Sequence, residues 1–323
     1  MLFRSGILLW RGILQWLGGL GIVVMAIAVM PMMGVGGMQL FKVEAFDAGE
    51  KVLPRAAQIS MALVGIYVVL TALWSVFLWW AGMTPLESTV HAMTTIATGG
   101  FSTSDGSVGH FDSWTIDLIV TLGMVVGSLP FLLFVQVVRG KPLALWQDEQ
   151  VRGFLAIAGA IVLVVAGLLW FEQGMHPLQS MRYAAFNVVS TMTGTGFTTD
   201  DYGLWGSFAL PIFFFTMFIG GCAGSTTCGI KVFRFQVLFA AAQVQVRHLV
   251  QPRAVFIPYY NHRPIPEAVI ISVLSFFFVF GLSFAALALG LGMLGLDFVT
   301  AVSSAATAIA NFGPGLGPIA GPA

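Results

Sequence analysis

The stretch HAMTTIATGGF, residues 91–101, returns without a gap as NVVSTMTGTGF at 187–197 and as SAATAIANFGP at 304–314. One column holds Gly100, Gly196 and Gly313, and six residues earlier each copy has a hydroxyl: Thr94, Ser190 or Thr307. The copies straddle the ends of the semi-apolar segments PLESTVHAMTTIAT, HPLQSMRYAAFNVVSTMT and LDFVTAVSSAATAIAN. These fall short of the roughly 20 residues a spanning helix needs and suit re-entrant helices that enter and leave a bilayer on one side. Repetition of one unit in equivalent places predicts a pseudosymmetric ring around a common axis.

The flanking sequence supplies the bilayer. Of 323 residues 58% are hydrophobic and 9% charged, against about a quarter charged in globular domains. That composition excludes a soluble enzyme, a nucleic-acid binder and a disordered tail. Apolar stretches near 6–30, 57–82, 114–138, 154–173, 207–240 and 267–294 are long enough to span. The first is too long for a signal peptide and has no cleavage site before a polar chain. The expected fold is an all-α polytopic membrane protein, built from repeated helix, re-entrant pore helix with filter loop, and helix units around a central pore. Unit boundaries are expected at 1–56, 57–153, 154–266 and 267–323.

Formal net charge is zero, so only its distribution informs. Lys42, Lys51 and Arg55, then Arg139, Lys141 and Arg152, then Lys231, Arg234, Arg247, Arg253 and Arg263 fall in alternate connections. The positive-inside rule makes that face cytoplasmic. The opposite face carries Glu87, Asp105, Asp112, Asp117, Glu172, Asp200, Asp201 and Asp297, with Arg182 the one basic residue among its connecting segments. Such a surface either solvates the exterior or gathers cations by its field.

A short helix descending from that face points its C-terminus, worth about half a negative charge, at the centre of the ring. The returning strands TGGFS and GTGFT can hold carbonyls inward at backbone angles most residues avoid. Rings of carbonyls replace the hydration shell of a monovalent cation.

At ATGGFST (97–103), TGTGFTTDDY (193–202) and ANFGPGLG (310–317) the sequence resembles the Trk, Ktr and HKT superfamily of potassium transporters, most closely the bacterial Trk-type membrane subunit. WLGGLGIVV with the following PMMGVGGMQL resembles the helix and turn after that family's first filter loop. The resemblance implies four pore-loop units around one pore, and potassium preference where the column residue is glycine. Carried over, the filter positions are Thr98, Gly99, Gly100 and Phe101, then Gly194, Thr195, Gly196 and Phe197, then Asn311, Phe312, Gly313 and Pro314, with potassium at their backbone carbonyls. It further implies potassium as the transported ion with no covalently bound cofactor, a homodimer, a bacterial inner-membrane location and a separate cytoplasmic nucleotide-binding subunit docking on basic loops such as 231–266. Against that pattern the chain is expected to be truncated at both ends, starting at the closing helix of unit one and stopping before that of unit four. A pore-forming potassium-uptake subunit and a non-conducting assembly or regulatory subunit are therefore both expected readings, and neither is an enzyme.

FIGGCAGSTTCGIK, residues 218–231, interrupts the fifth span. Its glycines each cost about 1 kcal/mol of helix stability relative to alanine, and its hydroxyls compete for backbone hydrogen bonds. A break is expected, and breaks near the midplane form ion sites or gates. In the resembled family this segment lies beneath the filter, giving Gly220, Gly221, Cys222, Ala223, Gly224, Ser225 and Thr226 as gate positions. The competing reading is a close helix crossing through the Gly220/Gly224 pair. Cys222 and Cys228 read as small packing residues, His91 as a packed or capping residue, and the pairs Trp79/Trp80 and Tyr259/Tyr260 as interfacial anchors. Gly34, Gly36 and Gly37 form a turn too incomplete for a dinucleotide site, and GKP at 140–142 lacks the rest of a P-loop.

Overall fold

The computed structural model describes residues 2–28 and 52–316. Its helices are α1 (Leu2–Ala28), α2 (Val52–Trp80), α3 (Pro85–Ile96), α4 (Trp114–Gly127), α5 (Phe131–Val138), α6 (Ala144–Gln147), α7 (Glu149–Phe171), α8 (Pro177–Thr193), α9 (Ala209–Thr216), α10 (Val232–Val250), α11 (Glu267–Met293) and α12 (Phe298–Ala310). Among the described residues α1, α2, α7 and α11 are long and apolar enough to cross a membrane, and the bent pair α4 and α5 would make a fifth span. The GVGG turn at Gly34, Gly36 and Gly37 and the basic residues Lys42 and Lys51 lie outside the described residues.

The repeat is visible as three packed helix pairs: α2 packs on α3, α7 on α8 and α11 on α12. Each short partner starts where its sequence says it should. Thr84 and Glu87 form a capping box on α3, with Pro85 in the first turn. His176 and Pro177 open α8, and Asp297 accepts from the Thr300 N–H at the head of α12. These caps satisfy amide groups that would otherwise be orphaned at a helix start.

Aromatic clusters join the units. Phe186 and Phe197 of the second repeat copy pack with Val108, Val120 and Met124, while Tyr202 stacks on Phe213 at 4.3 Å within a cluster that reaches Phe312 and Leu316 of the third copy. The outward surface is apolar as well, with Trp79, Trp80, Phe278 and Leu282 exposed, as suits a protein whose solvent is lipid.

Several expectations are refined or corrected. The stretch 114–138, apolar enough to span, is a bent pair, α4 and α5 meeting at 93° across Ser128–Pro130. Pro130 has no N–H to donate, and the Ser128 hydroxyl takes the Met124 carbonyl at 2.6 Å. His91, by contrast, is a packed residue as expected: its ring bridges the Glu87 carbonyl and the Ser102 hydroxyl and lies against Phe111 and Phe197. Tyr260 is buried, in a two-residue hairpin pair with Arg263–Pro264, so only Tyr259 of that pair is exposed. Arg182 is drawn onto two outer-face acids, 2.7 Å from Asp117 and 3.1 Å from Asp112, so part of that acidity is neutralised internally.

Candidate functional site

All three short helices end the same way. The residue two before the column glycine is left-handed in every copy: Thr98 at φ 49°, Gly194 at 70° and Asn311 at 52°. The next N–H then closes back on the carbonyl of the column's hydroxyl residue, Gly99 to Thr94 at 2.8 Å, Thr195 to Ser190 at 3.0 Å and Phe312 to Thr307 at 2.9 Å. This is a Schellman-type closure. Glycine suits it in the second copy and asparagine tolerates it in the third, whereas the β-branched Thr98 holds it against a steric preference.

Beyond that closure the strands meet. A methyl group built on Gly100 would overlap the Thr195 carbonyl oxygen, and one on Gly196 would lie 3.0 Å from Pro314 Cδ and 3.3 Å from Gly313 Cα. The column glycines thus form a continuous arc, with the helix C-termini directed to one region of the fold. The column hydroxyls brace the strands differently. Thr94 donates to the Phe101 carbonyl at 2.9 Å and Ser190 to the Phe197 carbonyl at 2.6 Å. In the third copy Pro314 stands at the corresponding place, Thr307 turns to Ser304, and Ser303 instead ties Leu316 through two bonds.

Residues 217–231 are not helical, so the close helix crossing through Gly220 and Gly224 is overturned. The segment is a loop lying against the ends of all three short helices. Thr226 Oγ1 is within 3.1 Å of the Thr98 hydroxyl and of the Ile96 and Gly127 carbonyls. A methyl on Gly194 would touch Cys228 Cβ at 3.3 Å. Asn311 donates to Cys228 Sγ at 3.1 Å, and the Gly229 N–H to the Ala310 carbonyl at 3.0 Å.

The backbone of this loop is satisfied almost group by group, as a dry interior requires. Gly220 N–H goes to the Ile230 carbonyl and Gly221 N–H to the Thr227 hydroxyl. Cys222 and Thr226 N–H groups go to the Ser128 and Gly127 carbonyls freed where α4 breaks, and Gly224 returns a carbonyl to the Phe131 N–H. Ala223 N–H donates to Gln150 Oε1 at 2.8 Å. Lys231 folds back onto the Thr227 carbonyl and hydroxyl, so its ammonium belongs to the loop and not to an open cytoplasmic face. Cys222 is fully buried as a packing residue, and Cys228 is half-buried beside a cavity.

That cavity, about 470 Å³, lies between the filter bases and the loop, lined by Thr98, Gly194, Asn311, Thr226, Cys228 and the Gly18–Gly19 face of α1. A second, of about 420 Å³, opens on the other side of the strands, beside Phe101, Ser104, Asp105 and Thr198. Gln15 and Gly99 line both. Gln15 was missed by the sequence reading, although a lone amide in an apolar span is a signal in itself.

Thr226→Val keeps the shape of the loop and the Thr226 N–H bond to Gly127, but removes the hydroxyl whose proton is shared between the Ile96 and Gly127 carbonyls and which accepts from Thr98. We expect a loss of about 1–3 kcal/mol, read as a lowered midpoint of thermal unfolding in detergent. An unchanged midpoint would remove Thr226 as the tie between loop and filter.

The chain is matched over residues 4–322 by the TrkH family model, described as a cation transport protein. It is 46% identical over 321 residues to the Trk system potassium uptake protein TrkI of Halomonas elongata, covering 99% of this chain and 65% of the relative. To the Trk system potassium uptake protein TrkH of Escherichia coli K12 it is 38% identical, covering 97% and 66%. The crystal structure of the potassium transporter TrkH from Vibrio parahaemolyticus superposes with a TM-score of 0.87 at 38% identity, covering 98% of this chain and 66% of that one. The chain thus spans just under two thirds of the length of these relatives. Repeated helix pairs, the shared closure at three glycine columns and the match along nearly its whole length together place this multi-pass membrane chain in the TrkH family of cation transport proteins.

Proposed function

We propose that the chain forms the larger part of a potassium-uptake pathway of the Trk type, as the pore-forming subunit. The observation that supports this reading is the arc of Gly100, Gly196 and Gly313, reached by three identically closed helix ends. Helix C-termini favour a cation there, and carbonyls can replace its water. The filter residues are Thr98 to Phe101, Gly194 to Phe197 and Asn311 to Pro314, with potassium as cargo at backbone carbonyls. The hydroxyl bonds on Phe101 and Phe197 direct those two carbonyls toward the short helices, and the Gly99 carbonyl is held by Gln15, which leaves the carbonyls at the column itself to face the ion. Residues 220–226 act as the gate beneath, a reading supported by Thr226, which lines the cavity below the filter bases and bonds to Thr98. The units divide near 56, 153 and 266. In a bacterial inner membrane the basic connections lie on the cytoplasmic side, where a nucleotide-binding regulatory subunit docks on 231–266, and two copies of the chain assemble as a dimer.

The test joins this chain to the segments of the Halomonas relative that it does not cover, in a bacterium lacking its own potassium uptake. Growth at micromolar potassium and selective rubidium flux are expected. In that background Gly196→Ser places a side chain at φ 83° against Pro314, and the potassium-to-sodium flux ratio should fall by about tenfold, or roughly 1.4 kcal/mol. A membrane-inserted chimera with no cation flux, or a serine variant with an unchanged ratio, would count against the filter.

A further inference from the structure

We propose that Gln15 is a specificity-determining positioning residue: its carboxamide, presented by α1, bridges the first filter strand across Gly100 and sets how that strand faces the ion. Gln15 Nε2 donates to the Gly99 carbonyl at 2.8 Å, and Gln15 Oε1 accepts from the Phe101 N–H at 3.1 Å. One planar amide thus holds the two peptide groups on either side of the column glycine, much as a neighbouring strand would.

Among the described residues only strand two has a neighbouring strand on both sides. Strand one abuts strand two through Gly100 and Thr195, and strand two abuts strand three through Gly196 and Gly313. The remaining edge of strand one is the edge that Gln15 covers. Gly99 permits the approach, since a methyl there would stand 2.6 Å from Gln15 Oε1.

The amide is carried on a fixed support. Gly12, Gln15 and Gly19 share one face of α1 by helical spacing. Methyl groups on the two glycines would meet Val90 at 3.3 Å and Ala97 at 3.0 Å, so α1 lies directly on α3 above and below the glutamine. Its height is set by Trp16, whose indole donates to Thr71 at 2.9 Å and whose carbonyl accepts from Tyr67 at 3.0 Å. One turn before Gln15, the Arg11 guanidinium lies 4.1 Å above the Phe101 ring. Both residues of this i, i+4 pair therefore act on Phe101, one on its ring and one on its amide. A site held by packed helices keeps its geometry better than one held by a loop.

This inference rests on the filter reading above, and the experiment separates the two. The purified full chain is titrated in detergent with potassium or sodium chloride, with choline chloride holding ionic strength constant. Apparent affinities come from the rise in unfolding midpoint, since an ion that binds only the native state stabilises it by mass action. Wild type should prefer potassium. Gln15→Glu keeps the acceptor for Phe101 but turns lone pairs on the Gly99 carbonyl, and Gln15→Leu removes both bonds. We expect the potassium-to-sodium affinity ratio to fall about tenfold in the leucine variant and by a smaller factor in the glutamate variant. A structural role alone would lower the midpoint without salt and leave the ratio untouched. Should the leucine variant fail to fold, the nearly isosteric glutamate variant carries the test. Wild type without cation preference would overturn the filter reading and this inference with it, whereas a preference kept in both variants would overturn the role of Gln15 alone.

Discussion

Gly100→Ala should unfold the filter region, while Gly313→Ala leaves it standing. At Gly100 the backbone sits at φ 74° and a methyl would overlap the Thr195 carbonyl oxygen of the adjacent strand. The left-handed backbone costs an alanine about 1–2 kcal/mol, and an obstacle made of backbone cannot rotate aside, adding about 1–3 kcal/mol. At Gly313 the nearest atom is 3.6 Å away and the position is exposed, so the change should stay within about 0.5 kcal/mol. Unfolding midpoints and monodisperse yield of the two variants provide the measurement. Equal behaviour would mean that the strands do not meet as described.

Arg182→Leu should be nearly as damaging, for a different reason. The guanidinium and the Asp117 carboxylate, 2.7 Å apart, have side chains only 9% and 4% exposed, and Asp117 Oδ1 already lacks a hydrogen-bond partner. Removing the cation leaves a buried charge without its counterion, which costs about 3 kcal/mol at the low end of the usual range because Asp112 faces solvent. The pair links α8 to α4, so the second repeat copy should loosen against the first. Adding Asp117→Asn to the leucine variant should recover most of the loss, since the charge itself is then gone. A double-mutant cycle that returns no coupling would reduce the pair to a surface contact.

The glycine column and its hydroxyls were legible because they are local: a helix end, a left-handed residue and a strand are written within a dozen consecutive letters. Thr98 still concealed its backbone, since threonine does not announce a positive φ, whereas asparagine at a helix end, as at Asn311, is a signal for it. The bend at Ser128–Pro130 was written in the sequence too, as serine and proline inside an apolar run. Hydropathy averaged over it and returned one apolar stretch. What could not be read was pairing between distant breaks. That the freed carbonyls of Gly127 and Ser128 are the partners of the loop at 222–226 is a tertiary fact, and so is the reach of Gln15 to a strand more than eighty residues away.

Mutual satisfaction of the two breaks has a thermodynamic corollary. Neither the loop nor the α4–α5 bend can part from the other without leaving peptide groups bare in a medium that offers them nothing. The cheapest replacement is water, admitted to the cavity at the same moment. Separation is therefore a hydration reaction, with the solvent itself among the reactants. Its equilibrium must shift with water activity, so solutes too large to enter the cavity should hold the two breaks together, and dilution of the medium should ease them apart.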